Sequence, residues 1–539
     1  MSTPPGALLG VDVGTGSVRA GLFSAGGVLL GRGEQTIEIW RPAPDHVEQS
    51  SNDIWSAVCA AARGAREQAG VTAEMVAGIG FDATCSLVAL DDGGAPVAVN
   101  LDGDDNRNVI VWMDHRAIED AAAIDATEHP VLRFVGGSVS PEMQTPKLRW
   151  VKRHLPDTWR RAARWFDLAD YLTFRATGAD DRSLCTIVCK WTYLGHERRW
   201  DESFFRAAGI DELCRDGFAA IGARVRGPGE LIGGLGAAAA QDLGLRPGTP
   251  VGASLIDAHA GALGTLGAAH ESILVDRRLA IIAGTSACHL AVSTKRFDVD
   301  GVWGPYWEAL LPDHWLTEAG ISASGSFLDH VLRSHPAARG MQNGIFGLLD
   351  ARLRAMAPDP AAATRLTADL HLQPNVLGNR APLADPGLTG GVSGWRLRDD
   401  PDDLARWYLA ALQALAYATR HIVDALKDAG KPIDVLTVCG GSATNAWWLK
   451  SHADALGMPV AVPAEPDAVL LGSAMLGATA AGIHPSLEAA MAAMTRAGSQ
   501  VLPDPRVTAY HTAKYRVYRK MIDDQAGYAK LMATATRVN

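Results

Sequence analysis

Residues 8–24, LLGVDVGTGSVRAGLFS, constrain this chain more than any other stretch. A mostly apolar run ends in Asp12, a Gly-Thr-Gly-Ser turn follows, and Val18, Ala20 and Leu22 alternate as a return strand. Apolar strand, glycine turn and alternating strand together predict a hairpin. Gly14 and Gly16 allow close backbone approach, Thr15 and Ser17 add hydroxyls, and Arg19 adds a fixed charge. Such a turn either closes an ordinary hairpin or wraps N–H groups around phosphate oxygens, with Asp12 holding a hydrated Mg²⁺. The plan returns at residues 279–293, LAIIAGTSACHLAVS, where Gly284 and Thr285 occupy the turn. Two such hairpins suggest a duplicated domain with one phosphate loop per copy.

Between and beyond the hairpins the pattern is α/β. Strands are predicted at 28–36, 76–82, 108–113, 251–257 and 435–439, and two of them end in Asp82 and Asp257. A helix is expected over 52–69, capped by Asn52 or Asp53 and stopped by Gly70. Asp114 and Arg116 are expected to open another, and further helices start at 146 and 166. Residues 401–429 carry apolar residues at helical spacing, and 508–530 read as a terminal helix. The strand at 435–439 runs into Gly440-Gly441-Ser442 and a helix from Asn445, a place where a phosphate or ribose reaches N–H groups at a helix N-terminus. The Ala- and Gly-rich run 468–483 is too short for a membrane span and predicts a closely packed buried helix. Residues 375–394 predict a long loop containing Asn379-Arg380-Ala381-Pro382.

Several classes are disfavoured. With 539 residues the chain exceeds one core, so two or more domains are expected, and the repeated hairpin places a division at 270/271, into 1–270 and 271–539. A net charge of −10 argues against a nucleic-acid partner. The seven cysteines form no CxxC pair and predict reduced thiols; Cys185 and Cys189 could share a helix face but, without His or Cys partners nearby, make a poor zinc site and read as buried small apolar residues. The opening MSTPPGALLG has no basic and apolar leader, so a cytoplasmic protein without a membrane partner is expected. No GxxxxGK[ST], HExxH or GxGxxG stands in a fitting context. What remains is a set of parts suited to phosphoryl transfer: glycine loops, strand-end carboxylates and a Gly-Gly turn.

Taken in order, 12–17, WMDHR at 112–116, 147–150, DAH at 257–259, AGTS at 283–286 and Gly440-Gly441-Ser442 with Asn445 resemble the FGGY family of carbohydrate kinases over roughly residues 7–525. The stretch 143–147 departs from the family's usual first signature. TCSLV at 84–88 is similar to the D-ribulokinase subgroup. The resemblance implies two actin/hexokinase-like (ribonuclease H-like) ATPase domains around a cleft. It implies ATP-dependent phosphorylation of a pentulose, D-ribulose first, with L-ribulose, ribitol or xylulose as alternatives, and it leaves room for a homodimer. A non-catalytic sugar sensor of the same fold is the reading from another class. By resemblance, Asp257 is the general base and also a metal residue with Asp12. Asp82, Cys85, Lys190, Asp257 and Glu318 hold the sugar. Gly14, Thr15, Ser17, Arg19, Gly284 and Thr285 face the β- and γ-phosphates, and Gly440, Gly441 and Asn445 face the rest of the nucleotide. A surface ion pair is the competing reading for Lys190, and Trp112, Asp114 and Arg116 are read as scaffold.

Overall fold

The computed structural model describes residues 6–269, 272–340 and 344–536. Residues 1–5, part of the stretch read for a leader, lie outside the described residues. The first half builds on β1 (Ala7–Val13), β2 (Ser17–Phe23), β3 (Leu29–Thr36) and β4 (Val76–Ala83). It adds β5 (Leu231–Gly234), β6 (Pro250–Gly252) and β7 (Leu255–Ile256). The sheet order is β5-β6-β4-β1-β2-β3, with β7 also on β4. The β1–β2 and β2–β3 pairs are antiparallel, and β4 lies parallel to β1. Every residue of β1 is buried, as expected of a strand covered on both faces.

The second half repeats the plan with β8 (Arg278–Ala283), β9 (Ala287–Ser293), β10 (Trp303–Trp307) and β11 (Trp315–Ile321), then β12 (Val435–Cys439), β13 (Val460–Pro463) and β14 (Ala497–Val501). Its order is β10-β11-β9-β8-β12-β13-β14. Again an antiparallel hairpin and third strand lie on one side, and parallel strands follow on the other. The duplication suggested by two short turns therefore extends to sheet topology.

The helices that matter for the site are α1 (Ser51–Ala69), α2 (Leu184–Lys190), α3 (Asp257–Leu266), α4 (Gly325–Ser334), α5 (Pro401–Asp428), α6 (Ala446–Leu456) and α7 (Ala468–Ala480). The last of these crosses over: α7 packs on β1 and β4 of the first sheet and on α3, which also packs on β8. Glycines set the separation. A Cβ at Gly472 would overlap the Ala260 carbonyl, one at Gly264 the Ala468 carbonyl, and one at Gly80 the Ser473 carbonyl. No described helix is long and apolar enough to cross a membrane.

Local details differ from the sequence expectations. The cap of α1 is Ser50, whose Oγ accepts from Asp53 N–H at 3.3 Å, so the helix starts one residue early. The strand expected over 108–113 is only Val109–Ile110; the Asn108 side chain beside it accepts from Ser51 N–H and donates to the Ala89 carbonyl. Asp114 and Arg116 do not open a helix, which begins at Ile118; they form a buried ion pair at 2.7 Å that Arg116 extends to Glu48. The strand expected over 251–257 breaks into β6 and β7, and Asp257 is the first residue of α3.

Candidate active site

Parallel register brings three carboxylates to one edge of the first sheet. Asp12 pairs with Asp82 across β1 and β4, and β7 pairs Leu255 with Asp82 and Ile256 with Ala83, so Asp257 emerges beside both. Asp12 and Asp82 are fully buried. Asp12 pairs with the Arg19 guanidinium, yet its Oδ1 and both oxygens of Asp82 have no hydrogen-bond partner. Burial raises all three carboxyl pKa values, and negative neighbours add to the rise at Asp82 and Asp257. Asp257 reaches about 6. Its Oδ1 accepts the Ala258 N–H at 2.7 Å. Orphaned, crowded carboxylate oxygens are the donor set a hard divalent cation takes, so this cluster fits Mg²⁺.

In front of the cluster lies a cavity of about 200 Å³. Arg19, Cys85, Lys190, Asp257, Gly284, Thr285 and Glu318 all line it, so seven residues singled out from sequence converge from both halves. Asp82 is not among the lining residues; it stands with Asp12 in the carboxylate cluster. Lys190 is buried, not part of a surface ion pair; its ammonium lies 5.3 Å from the centre of the Trp303 ring. Burial disfavours its charge, but Cys85 and Glu318 outweigh that and raise its pKa well above normal. Glu318 shows the reverse: burial would raise it, while Lys190, His259 and Arg380 hold it at about 2.

Behind Glu318 runs a buried chain. His259 Nε2 is 3.4 Å from Glu318 Oε2, and its Nδ1 is 3.0 Å from Cys185 Sγ. Burial works against both charges, yet contact with Cys189 and His259 lowers the Cys185 thiol, and contact with Cys185 and Glu318 raises the His259 imidazole. The expectation that Cys185 and Cys189 lack a histidine is thus corrected: the ligand atoms of these two and His259 lie within 4.8 Å of one another. Helix α3 turns His259 toward α2, a proximity that sequence separation hides.

The two turns are built alike. Gly14 N–H donates to Ser17 O at 3.0 Å, and Gly284 N–H to Ser286 O at 2.9 Å. Those amides close the turns, so the N–H groups left for an anion are at the tips. Trp112 Nε1 donates to Thr15 Oγ1 at 3.0 Å while its ring lines the cavity, which makes this scaffold residue part of the pocket wall. The Ser17 hydroxyl donates to Glu34 at 3.1 Å. The second turn is braced by the start of α4: Ser324 N–H donates to Thr285 O, and Gly325 N–H to Gly284 O. Gly440, with φ +89°, lies against the end of β8; a Cβ there would meet the Ala283 carbonyl oxygen at 2.6 Å.

Two family models match the chain: the N-terminal domain of the FGGY family of carbohydrate kinases over residues 7–264 and its C-terminal domain over 279–481. The chain belongs to the FGGY family of carbohydrate kinases. It is 47% identical to an FGGY carbohydrate kinase domain-containing protein of Danio rerio, over 97% of this chain and 98% of the relative. It is 36% identical to a D-ribulokinase of Saccharomyces cerevisiae, over 88% of this chain and 71% of the relative. The fold matches the crystal structure of xylulose kinase from Rhodospirillum rubrum with TM-score 0.80 and 23% identity, covering 97% and 99% of the two chains. This FGGY kinase therefore has the two-domain actin/hexokinase-like fold and is a phosphotransferase acting on a sugar hydroxyl.

Asn445 and the Gly440-Gly441 turn are not among the residues that line the cavity. Asn445 caps α6, accepting from Trp448 N–H at 3.0 Å, and donates to the Tyr408 hydroxyl at 2.7 Å. These contacts fix the Asn445 side chain at the start of α6 and leave its second amide N–H without a protein acceptor among the described residues. Conversely Thr84, Glu142, Cys288 and Arg380 line the cavity of the FGGY kinase without having been singled out as binding residues. Arg380 sits in a stretch legible only as a Pro- and Gly-rich loop; Cys288 was readable as the return strand of the second hairpin.

Proposed function

We propose that this kinase transfers the γ-phosphoryl group of ATP to the terminal hydroxyl of a pentulose, D-ribulose being the first choice. The observation that carries the reading is the shared cavity, with Asp257 between the Asp12–Asp82 cluster and the charged sugar wall of Lys190 and Glu318. The D-ribulokinase relative supports the choice of pentulose. With a carboxyl pKa of about 6, Asp257 is mostly ionised at neutral pH. It takes the proton from the attacking hydroxyl, a role typically worth ~10²–10⁴ in rate. The Ala258 N–H fixes one oxygen and leaves the other for the substrate. Lys190 donates to sugar oxygens and Glu318 accepts from hydroxyl protons. The tip amides of the Thr15 and Thr285 turns, with Arg19, hold phosphate oxygens as charge moves onto them. Asp12, Asp82 and Asp257 would hold Mg²⁺, which when bound supplies neutralisation of phosphate charge.

Sugar-dependent ADP release, measured over a panel of D-ribulose, L-ribulose, xylulose and ribitol, tests the substrate. Asp257→Asn is expected to lower turnover by at least ~10²-fold while leaving nucleotide affinity measured without Mg²⁺ nearly unchanged. Activity close to wild type in that variant would remove Asp257 from the role of base. ADP release that ignores every sugar would favour the sensor.

A further inference from the structure

One wall of the cavity carries a cation whose donors the protein leaves unmet. Arg380 lines the cavity with its side chain 15% exposed. Among the described residues its ion contacts are loose, 3.8 Å to Glu318 Oε1 and 4.0 Å to Glu142 Oε2. Its Nε is buried with no partner. Arg116 shows what a structural buried arginine looks like here: its guanidinium donates to Val99 O at 2.8 Å, Asp114 Oδ2 at 2.7 Å and Glu48 Oε1 at 2.9 Å. Buried donors without acceptors are expensive, so a fold that keeps Arg380 in this state has an acceptor in view.

The placement is enforced. Asn379 and Asp385 exchange backbone hydrogen bonds at 2.8 Å, and the Asn379 side chain ties to Asn375 Oδ1 at 3.1 Å and Leu383 N–H at 3.0 Å. This knot projects Arg380 across β11, where only a glycine fits: a Cβ at Gly320 would stand 2.9 Å from Arg380 Cδ and 3.1 Å from the Ala287 carbonyl oxygen. The guanidinium then lies 4.2 Å from the centre of the Trp303 ring that Lys190 also faces. A planar fork resting on an aromatic ring is pre-organised, and it matches paired acceptor oxygens.

We propose that Arg380 is a substrate-binding and specificity residue: its fork donates to two adjacent oxygens of the sugar, other than the one Asp257 deprotonates, and Glu142 and Glu318 accept the neighbouring hydroxyl protons. Arg380 and Lys190 are offset by Glu142 and Glu318, so the occupant is a neutral polyhydroxy compound rather than a sugar acid. The proposal rests on the pentulose-kinase reading above.

The test compares wild type with Arg380→Lys, Arg380→Met and Gly320→Ala, the last displacing the side chain without removing its charge. Steady-state kinetics should show the sugar KM raised roughly tenfold or more in all three, with the ATP KM within about threefold. Arg380→Lys separates the roles: a residue needed only to balance Glu142 and Glu318 would be rescued by lysine, whereas a fork would not. Restoration of the wild-type sugar KM by lysine, or an unchanged KM in Gly320→Ala, overturns the proposal. Should Arg380→Met not fold, the other two decide. Pentulose-induced thermal stabilisation without nucleotide is measured alongside. If wild type binds a pentulose but transfers nothing, the kinase reading fails, while loss of that stabilisation in Arg380→Lys still upholds Arg380; its persistence overturns it.

Discussion

At the scale of single residues, the core of the second half contains a proton arrangement with a clear pH consequence. His452 Nδ1 is 2.9 Å from the Trp448 carbonyl, to which it donates, so its Nε2 accepts from the Thr419 hydroxyl at 3.3 Å. Thr419 Oγ1 in turn accepts from His289 Nε2 at 3.1 Å, and His289 Nδ1 is buried with no partner. The Thr419 hydroxyl has a nitrogen lone pair to donate to only while His452 is neutral, and a proton on the unpartnered His289 Nδ1 would be a buried donor with no acceptor. Burial accordingly lowers both histidines to about 3. Their folded pKa values lie below the unfolded value, so the unfolded chain binds more protons between pH ~6.5 and ~3. The stability they contribute is complete above that range and is lost as pH falls through it, by up to ~1.4 kcal/mol per pH unit for each histidine. Denaturant unfolding at pH 7 and pH 5 should show the loss, and His452→Gln should flatten it. An equally steep acid slope in that variant would remove His452 from the account.

At the scale of elements, what could be read from sequence depended on whether a signal was local. The two hairpins were legible because period-two alternation and turn glycines lie within a few residues. Asp257 was legible because a strand-end carboxylate before small residues is a short-range pattern, although the exact break between β7 and α3 was not. The Cys185–His259–Glu318 chain and Arg380 were not legible as partners, because three separate elements and a knotted loop bring them together. The Ala- and Gly-rich pattern of α7 marked a buried helix, but its near-uniform apolarity could not say which sheet it serves. The structure answers that α7 packs on α3 through bare backbone at Gly472 and Gly264 and on the first sheet through bare backbone at Gly10 and Gly80. Gly472→Val would drive a branched side chain into the Ala260 carbonyl. Overpacking usually costs ~1–3 kcal/mol, and backbone rather than a flexible side chain is the obstacle here, so a loss of at least ~3 kcal/mol is expected. Chemical denaturation of Gly472→Val beside Gly347→Ala, where a Cβ meets nothing within 4 Å, would measure it; a Gly472→Val variant as stable as wild type would mean that α7 shifts freely.

At the scale of the molecule, the cavity belongs to neither half alone. Cys85, Lys190 and Asp257 come from the first half, and Gly284, Thr285, Glu318 and Arg380 from the second. The helix that begins with Asp257 packs on β8 of the second sheet, and α7 of the second half returns to the first. A ligand that touches both sides stabilises the arrangement in which they meet, and a second ligand that uses the same arrangement then binds more tightly. Binding linkage requires the benefit to be mutual, so the factor by which sugar tightens nucleotide must equal the factor by which nucleotide tightens sugar. Closure of this kind also shields the γ-phosphoryl group from water until the sugar hydroxyl is in place. Isothermal titration of a non-hydrolysable ATP analogue, with and without saturating pentulose, is expected to show tightening of roughly fivefold or more, and the converse titration the same factor. Arg380→Lys, which weakens only the sugar's hold on the second half, should shrink that factor as well as the sugar affinity. Sugar and nucleotide affinities that are independent in wild type would mean that the two halves are already locked together before either ligand arrives, and that water must be kept out by some other part of the chain.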